Sequence, residues 1–123
     1  RPRTLFPYTT LFRSIDMMKL IPGFTDYCVS DEGNVYRIKK DSLYQLKTYI
    51  CGGHNCVKLR GKKFYIDNLV ALVFIGDKPE YTKVFHKNKD KLDDRLENLV
   101  YLSLDKFYLY STYTKDYLKS IFE

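Results

Sequence analysis

Apolar and polar residues alternate through the first half of the chain, and the period then lengthens. In "YCVSDEGNVYRI", Tyr27 and Val29 precede the polar run Asp31–Asn34, and Val35, Tyr36 and Ile38 follow it. Strand formers on either side of a turn able to supply positive φ predict a hairpin. Alternation continues through "LYQLKTYI", "CVKLR" and "KFYID", with Gly52-Gly53 as a turn feeding a strand and Gly61-Lys62 as a second tight turn. In "DNLVALVFIG", Leu69, Val70, Leu72 and Val73 fall on one helical stripe, which predicts a short helix packed on the sheet. Asp67 or Asn68 is the expected N-cap, with Gly76 past the end. "TKVFH" then reads as a strand that ends at His86, Lys87–Glu97 as a polar loop, and "NLVYL" as the partner strand. Apolar residues at three- and four-residue spacing from Leu104 to Phe122 predict helix, broken near Thr112–Thr114, where either threonine can cap a second segment. The fold class expected is α+β, with small antiparallel strands first and helices last.

The first fourteen residues stand outside this pattern. "TLFPYTTLFRS", Thr4–Ser14, resembles the frame translation of a sequencing-adapter oligonucleotide, so residues 1–14 are read as an adapter-derived scar. The rival reading, a targeting peptide, needs a continuous apolar run, and Pro7, two threonines and Arg13 interrupt this one. The gene's own start is expected at Met17 or Met18. The excision changes the charge: 21 Lys+Arg against 15 Asp+Glu becomes 18 against 15, because Arg1, Arg3 and Arg13 leave the count. An excess that small does not announce a nucleic-acid partner; its clustering matters more. Basic residues gather at Arg37–Lys40, at Lys58–Lys63 and from Lys83 to Arg95, although solvated loops of a lysine-rich protein would look the same.

The remaining length suits one domain, or two small modules sharing a core. Neither a membrane-length apolar run nor a signal peptide is read, and a cytoplasmic protein is expected. Three cysteines, Cys28, Cys51 and Cys56, fit a reducing compartment better than a disulfide framework. "CGGHNC" invites a zinc reading through Cys51, His54 and Cys56, but structural zinc sites pair ligands at two separate places, and only Cys28 is left to complete a set.

Two stretches carry a resemblance in the right order and spacing. "IPGFTDYCVSDEGNVYRI" looks like the N-terminal modular motif of phage and intron HNH homing endonucleases. "DNLVALVFIGDKPEYTKVFHKNKDKLDDRLENLVYLS" is similar to the nuclease core of the same family. The resemblance divides the chain into residues 15–50, the modular β motif, and residues 51–123, an HNH-like core with C-terminal helices. It implies a ββα-metal finger, in which two strands and a helix clamp one divalent ion, Mg²⁺ or Mn²⁺, against a phosphate of double-stranded DNA. The ion would stabilise the developing charge, and a histidine near neutrality would take the proton of the attacking water.

Carried over by position, the general base falls on His86 and the asparagine of the Asn-Leu pair on Asn98, the two candidate catalytic residues. The two ion-ligand positions fall on Phe85 and Phe107, and a phenyl ring offers no lone pair. Asp67 stands where the family has a histidine, Asn88-Lys89 where it has Asp-Gly, and Val100-Tyr101 where it has Glu-Trp. Asp105 or a loop carboxylate, Asp90, Asp93 or Asp94, are the candidates for rescuing a metal site. Arg37, Lys39, Lys58, Arg60, Lys87 and Arg95 are the candidate DNA-binding residues. Three functions stay open: a DNA-binding protein with a degenerate site, an active metal-dependent nickase, and a non-DNA interaction domain that docks through its tyrosine-rich C-terminal helices.

Overall fold

A computed structural model describes Met17–Glu123; the adapter-like segment lies outside the described residues. Among the described residues, nine strands, three α-helices and a short 3-10 turn at Leu96–Asn98 follow one another. Strands β1 (Met18–Ile21), β2 (Phe24–Ser30), β3 (Val35–Lys39) and β4 (Ser42–Gln45) form an antiparallel sheet in that order. The β2–β3 hairpin sits where the alternation places it. Its turn is closed by Ser30, whose hydroxyl oxygen accepts from the backbone N–H groups of Glu32 (3.3 Å) and Asn34 (3.1 Å). Gly33 in this turn has φ of 89° and lies so close to the loop after His86 that an added Cβ would stand 3.2 Å from the Asp94 Cβ. Only glycine satisfies both demands.

Strands β5 (Tyr49–Cys51), β6 (His54–Leu59) and β7 (Lys62–Tyr65) make a second sheet. Gly52-Gly53 is the first turn, as expected, with φ of 62° and 84°. The second turn centres on Arg60 and Gly61, one residue earlier than read, because both central residues take positive φ (51° and 80°) in a two-residue hairpin.

Helix α1 (Ile66–Phe74) also begins earlier than its expected cap. Tyr65 is the N-cap and makes no side-chain cap bond, which puts Asp67 in the first helical turn. There its Oδ1 accepts from the Asn68 N–H at 2.6 Å, and the negative charge suits the helix N-terminus. Of the expected stripe, Leu69 and Val70 are buried and Leu72 and Val73 half-buried, while Ala71, outside it, is buried.

Strands β8 (Thr82–His86) and β9 (Leu99–Ser103) form a ribbon that pairs Phe85 with Val100 and His86 with Leu99. Helices α2 (Leu104–Tyr110) and α3 (Lys115–Phe122) close the chain, and the break is capped by Thr114, whose Oγ1 accepts from the Tyr117 N–H at 3.1 Å.

One core draws on both sheets, α1 and β9: Ile21, Tyr27, Val29 and Val35 meet Val57, Leu59, Ile66, Leu69, Val70 and Leu99. Residues 17–50 and 51–123 are thus packed together, and β5 spans the division drawn after residue 50. A second cluster lies across the ribbon, where Phe85, Leu102 and Leu118 are surrounded by Val100, Phe107, Tyr110, Tyr113 and Phe122. The period of two along β8 separates the clusters: Val84 packs on the first side and Phe85 on the second. No helix among the described residues is long and apolar enough to cross a membrane.

Candidate functional site

His86 ends β8 on the side away from Phe85 and is buried, as are Asp67 and Asp94, each at 5% exposure. Its Nε2 lies 2.9 Å from Asp94 Oδ1 and 3.7 Å from Asp67 Oδ2. His54, at the start of β6, brings Nδ1 to 3.3 Å from Asp67 Oδ2. Four elements therefore converge. The first turn of α1 supplies Asp67, β6 and β8 supply the histidines, and the loop after β8 supplies Asp94, which packs against the Gly33 turn and accepts from Asn55 Nδ2 at 2.9 Å. Burial raises the Asp67 pKa, the charge of Asp94 raises it further, and His86 opposes the shift. His54 opposes it too, less strongly, and the group can hold a proton or a cation between its carboxylates.

Asn98 is buried and works on the loop. Its Nδ2 donates to the Asp93 carbonyl (2.8 Å) and to Asn88 Oδ1 (3.0 Å), and its Oδ1 accepts from the Asn88 N–H (3.0 Å). These bonds close Lys87–Asn98 into a compact unit that presents Asp94 to His86. Asp93 is held within the same loop by a two-pronged bond from Arg95, 2.8 Å at each prong, and its pKa falls to about 2 for that reason.

Across the ribbon, Phe85 and Phe107 meet edge to face, with ring centroids 5.7 Å apart. The resemblance puts its two ion ligands at these positions. The ion does not fit there: neither ring can coordinate it, Tyr110 and Phe122 pack on Phe85 as well, and the Lys83 ammonium stands 4.8 Å from the Phe107 centroid. Asp105 is exposed in the first turn of α2 and is not brought to His86, so the carboxylates beside the histidine are Asp94, which was among the loop candidates, and Asp67, which was not. Reading Asp67 as a cap concealed it. The zinc reading of "CGGHNC" gains no support, because His54 turns to Asp67 while Lys63 reaches the Cys51 sulfur at 3.4 Å.

The candidate DNA-binding residues do not form one patch. Arg37 and Lys39 are exposed on β3 and Lys58 on β6. Arg60 donates to Asp26 at 2.8 Å and stacks over Phe24; Lys87 lies over the Phe122 ring. Arg95 is the residue of this set whose cationic group is most fully engaged, by Asp93 and by Glu97 at 3.1 Å. Positive charge also gathers at Lys78, Lys83, Lys89 and Lys91, which line a cavity of about 670 Å³ with Asp67, His86, Phe85 and Phe107. Lys83, Lys89 and Lys91 lie in the charge clusters of the sequence; only the fold brings Lys78 to them.

No family model matches the chain. An uncharacterized HNH endonuclease of Acanthamoeba polyphaga mimivirus is 39% identical over a match that covers 76% of this chain and 25% of that protein. The chain thus spans about a quarter of the length of the curated relative it matches. A solved structure describing DNA binding and cleavage by the HNH homing endonuclease I-HmuI is similar with a TM-score of 0.64 and 28% identity, over 85% of this chain and 65% of that one. The α+β fold is that of the HNH homing endonucleases, and the resemblance carried by the two sequence stretches is borne out.

Proposed function

We propose that the chain is a DNA-binding module of the HNH homing-endonuclease type that holds double-stranded DNA without cutting it. The observation that carries this reading is the edge-to-face pair of Phe85 and Phe107, at 5.7 Å, in the place of both ion ligands. Phosphodiester hydrolysis must stabilise charge on a phosphoryl oxygen and on a leaving alkoxide, and an aromatic cluster stabilises neither. Binding does not need that ion. Lys78, Lys83, Lys89 and Lys91 around the cavity provide positive charge for a phosphate backbone, and the similar I-HmuI is a protein of DNA binding and cleavage.

A second reading, an active metal-dependent nickase, draws on the carboxylates beside His86. Its difficulty is that Phe85 and Phe107 stand at the positions that the resemblance gives to the ion ligands; the 2.9 Å contact of Nε2 with Asp94 is compatible with either reading, since it leaves the other ring nitrogen free of that carboxylate. The interaction-domain reading draws only on exposed tyrosines such as Tyr108 and Tyr117.

Fluorescence anisotropy of a labelled duplex, followed against salt, tests the proposal. Affinity should fall steeply as salt rises, with a logarithmic slope of about 0.9 per phosphate neutralised, and Lys78→Gln, Lys83→Gln and Lys91→Gln together should flatten it. Absence of binding at low salt would move the chain to the interaction-domain reading.

A further inference from the structure

We infer that Asp67, His86 and Asp94 form a site for one divalent transition ion of the Zn²⁺, Co²⁺ or Mn²⁺ class, on the opposite side of the β8–β9 ribbon from Phe85 and Phe107. The inference stands on the triad alone and requires no DNA.

Geometry comes first. One ligand atom from each residue lies within 4.8 Å of the other two, and Nε2 of His86 is 2.9 Å and 3.7 Å from the two carboxylate oxygens. Ligand distances of roughly 2.0–2.2 Å around a tetrahedral ion place donors about 3.3–3.6 Å apart, so a small adjustment suffices. The outer oxygens are already fixed: Asp94 Oδ2 accepts from Asn55 Nδ2 at 2.9 Å, and Asp67 Oδ1 accepts from the Asn68 N–H at 2.6 Å. Such supporting bonds aim the remaining oxygens, Asp94 Oδ1 and Asp67 Oδ2, at the histidine.

Charge gives a second reason. Two buried carboxylates face only imidazoles, His86 beside both and His54 at 3.3 Å from Asp67, and neither meets a lysine or arginine among the described residues. Uncompensated buried charge is costly, and a divalent ion removes the imbalance. One nitrogen with carboxylate oxygens is a donor set that suits first-row ions of intermediate softness.

His54 supplies a third, independent observation. Its Nδ1 is a buried side-chain nitrogen without a hydrogen bond among the described residues, and it faces the group from 3.3 Å. Turning this ring brings a fourth donor and makes a set of two histidines and two carboxylates. His54, Asp67 and His86 also line the 670 Å³ cavity, which gives an ion its way in. An ion held here engages the Nε2 lone pair, so His86 serves as a ligand and is unavailable as a base.

The full 123-residue chain, stripped with chelator, is titrated with Co²⁺ and followed by its visible d–d absorption, with Zn²⁺ as competitor. The expected result is one Co²⁺ per chain, displaced by Zn²⁺, with no thiolate-to-cobalt charge-transfer band. Asp67→Asn and Asp94→Asn, nearly isosteric, should each weaken binding by more than the roughly 10–100-fold that loss of a supporting partner costs a metal site. Cys51→Ser should bind as the parent does. Failure to take up Co²⁺, a thiolate band, loss of binding in Cys51→Ser, or unchanged affinity in both aspartate variants would overturn the assignment. Should an aspartate variant fail to fold by circular dichroism, the parent's stoichiometry and spectrum still decide. Because no DNA is present, failure here leaves the DNA-binding proposal standing, and failure of that proposal leaves the metal site standing.

Discussion

Phe85 and His86 are consecutive on β8, yet they look into regions built on different physics. Phe85 faces an aromatic cluster in which Phe107, Tyr110 and Phe122 all lie within 6.2 Å of its ring centroid. Such packing stabilises in proportion to the area it buries and tolerates changes of shape. His86 faces a network of carboxylates and amides that contributes modestly to net stability, while fixing where each donor points. The two side chains leave β8 on opposite faces, although both regions open onto the same 670 Å³ cavity. In this chain the histidine side gathers convergent donors, and the positions that the resemblance assigns to the ion hold the packed rings of Phe85 and Phe107.

Breaking the aromatic side should have the largest effect. Phe85→Ala removes the ring that ties β8 to α2 and α3, and a loss of about 3–5 kcal/mol is expected in urea denaturation. Leu118→Ala, which removes a fully buried anchor of α3, should cost about 2–5 kcal/mol and release the C-terminal helix. A smaller effect belongs to the polar side. Asn98→Ala removes an amide that makes three loop bonds and should cost about 1–3 kcal/mol, with faster amide hydrogen exchange at Asn88 as its local signature. An equal loss from Asn98→Ala and Phe85→Ala would erase the distinction between the two regions. The smallest effect separates free from engaged charge: Lys91→Gln should lower the salt slope of DNA binding by about one, whereas Arg95→Gln should leave it unchanged because Asp93 and Glu97 already hold the guanidinium.

Much of the architecture was legible in the sequence because it depends on local period and turn chemistry. The β2–β3 hairpin, the strand ending at His86, its partner, read from Asn98 and found from Leu99, and the break before Lys115 all follow from alternation, glycine placement and capping threonines. The departure of Phe85 and Phe107 from a ligand pattern was legible too, since it needs only residue type. The charged group around His86 was not. Asp67 and Asp94 lie on opposite sides of β8 in sequence, and each has an ordinary local explanation, a helix cap for one and a loop acid for the other. Their convergence depends on how α1 and the Gly33 turn pack against the loop. For the same reason Arg95 looked like a free cation: its bond to Asp93 spans two residues, but the loop geometry that closes it is set by Asn98.

The most direct measurement is incubation of supercoiled plasmid with the unmodified chain in Mg²⁺ or Mn²⁺, followed on a gel. Supercoiled DNA is expected to persist at protein concentrations that saturate binding, and His86→Ala to behave identically. Conversion to nicked circles by the unmodified chain, abolished by His86→Ala and by chelator, would contradict it and return His86 to the role of general base.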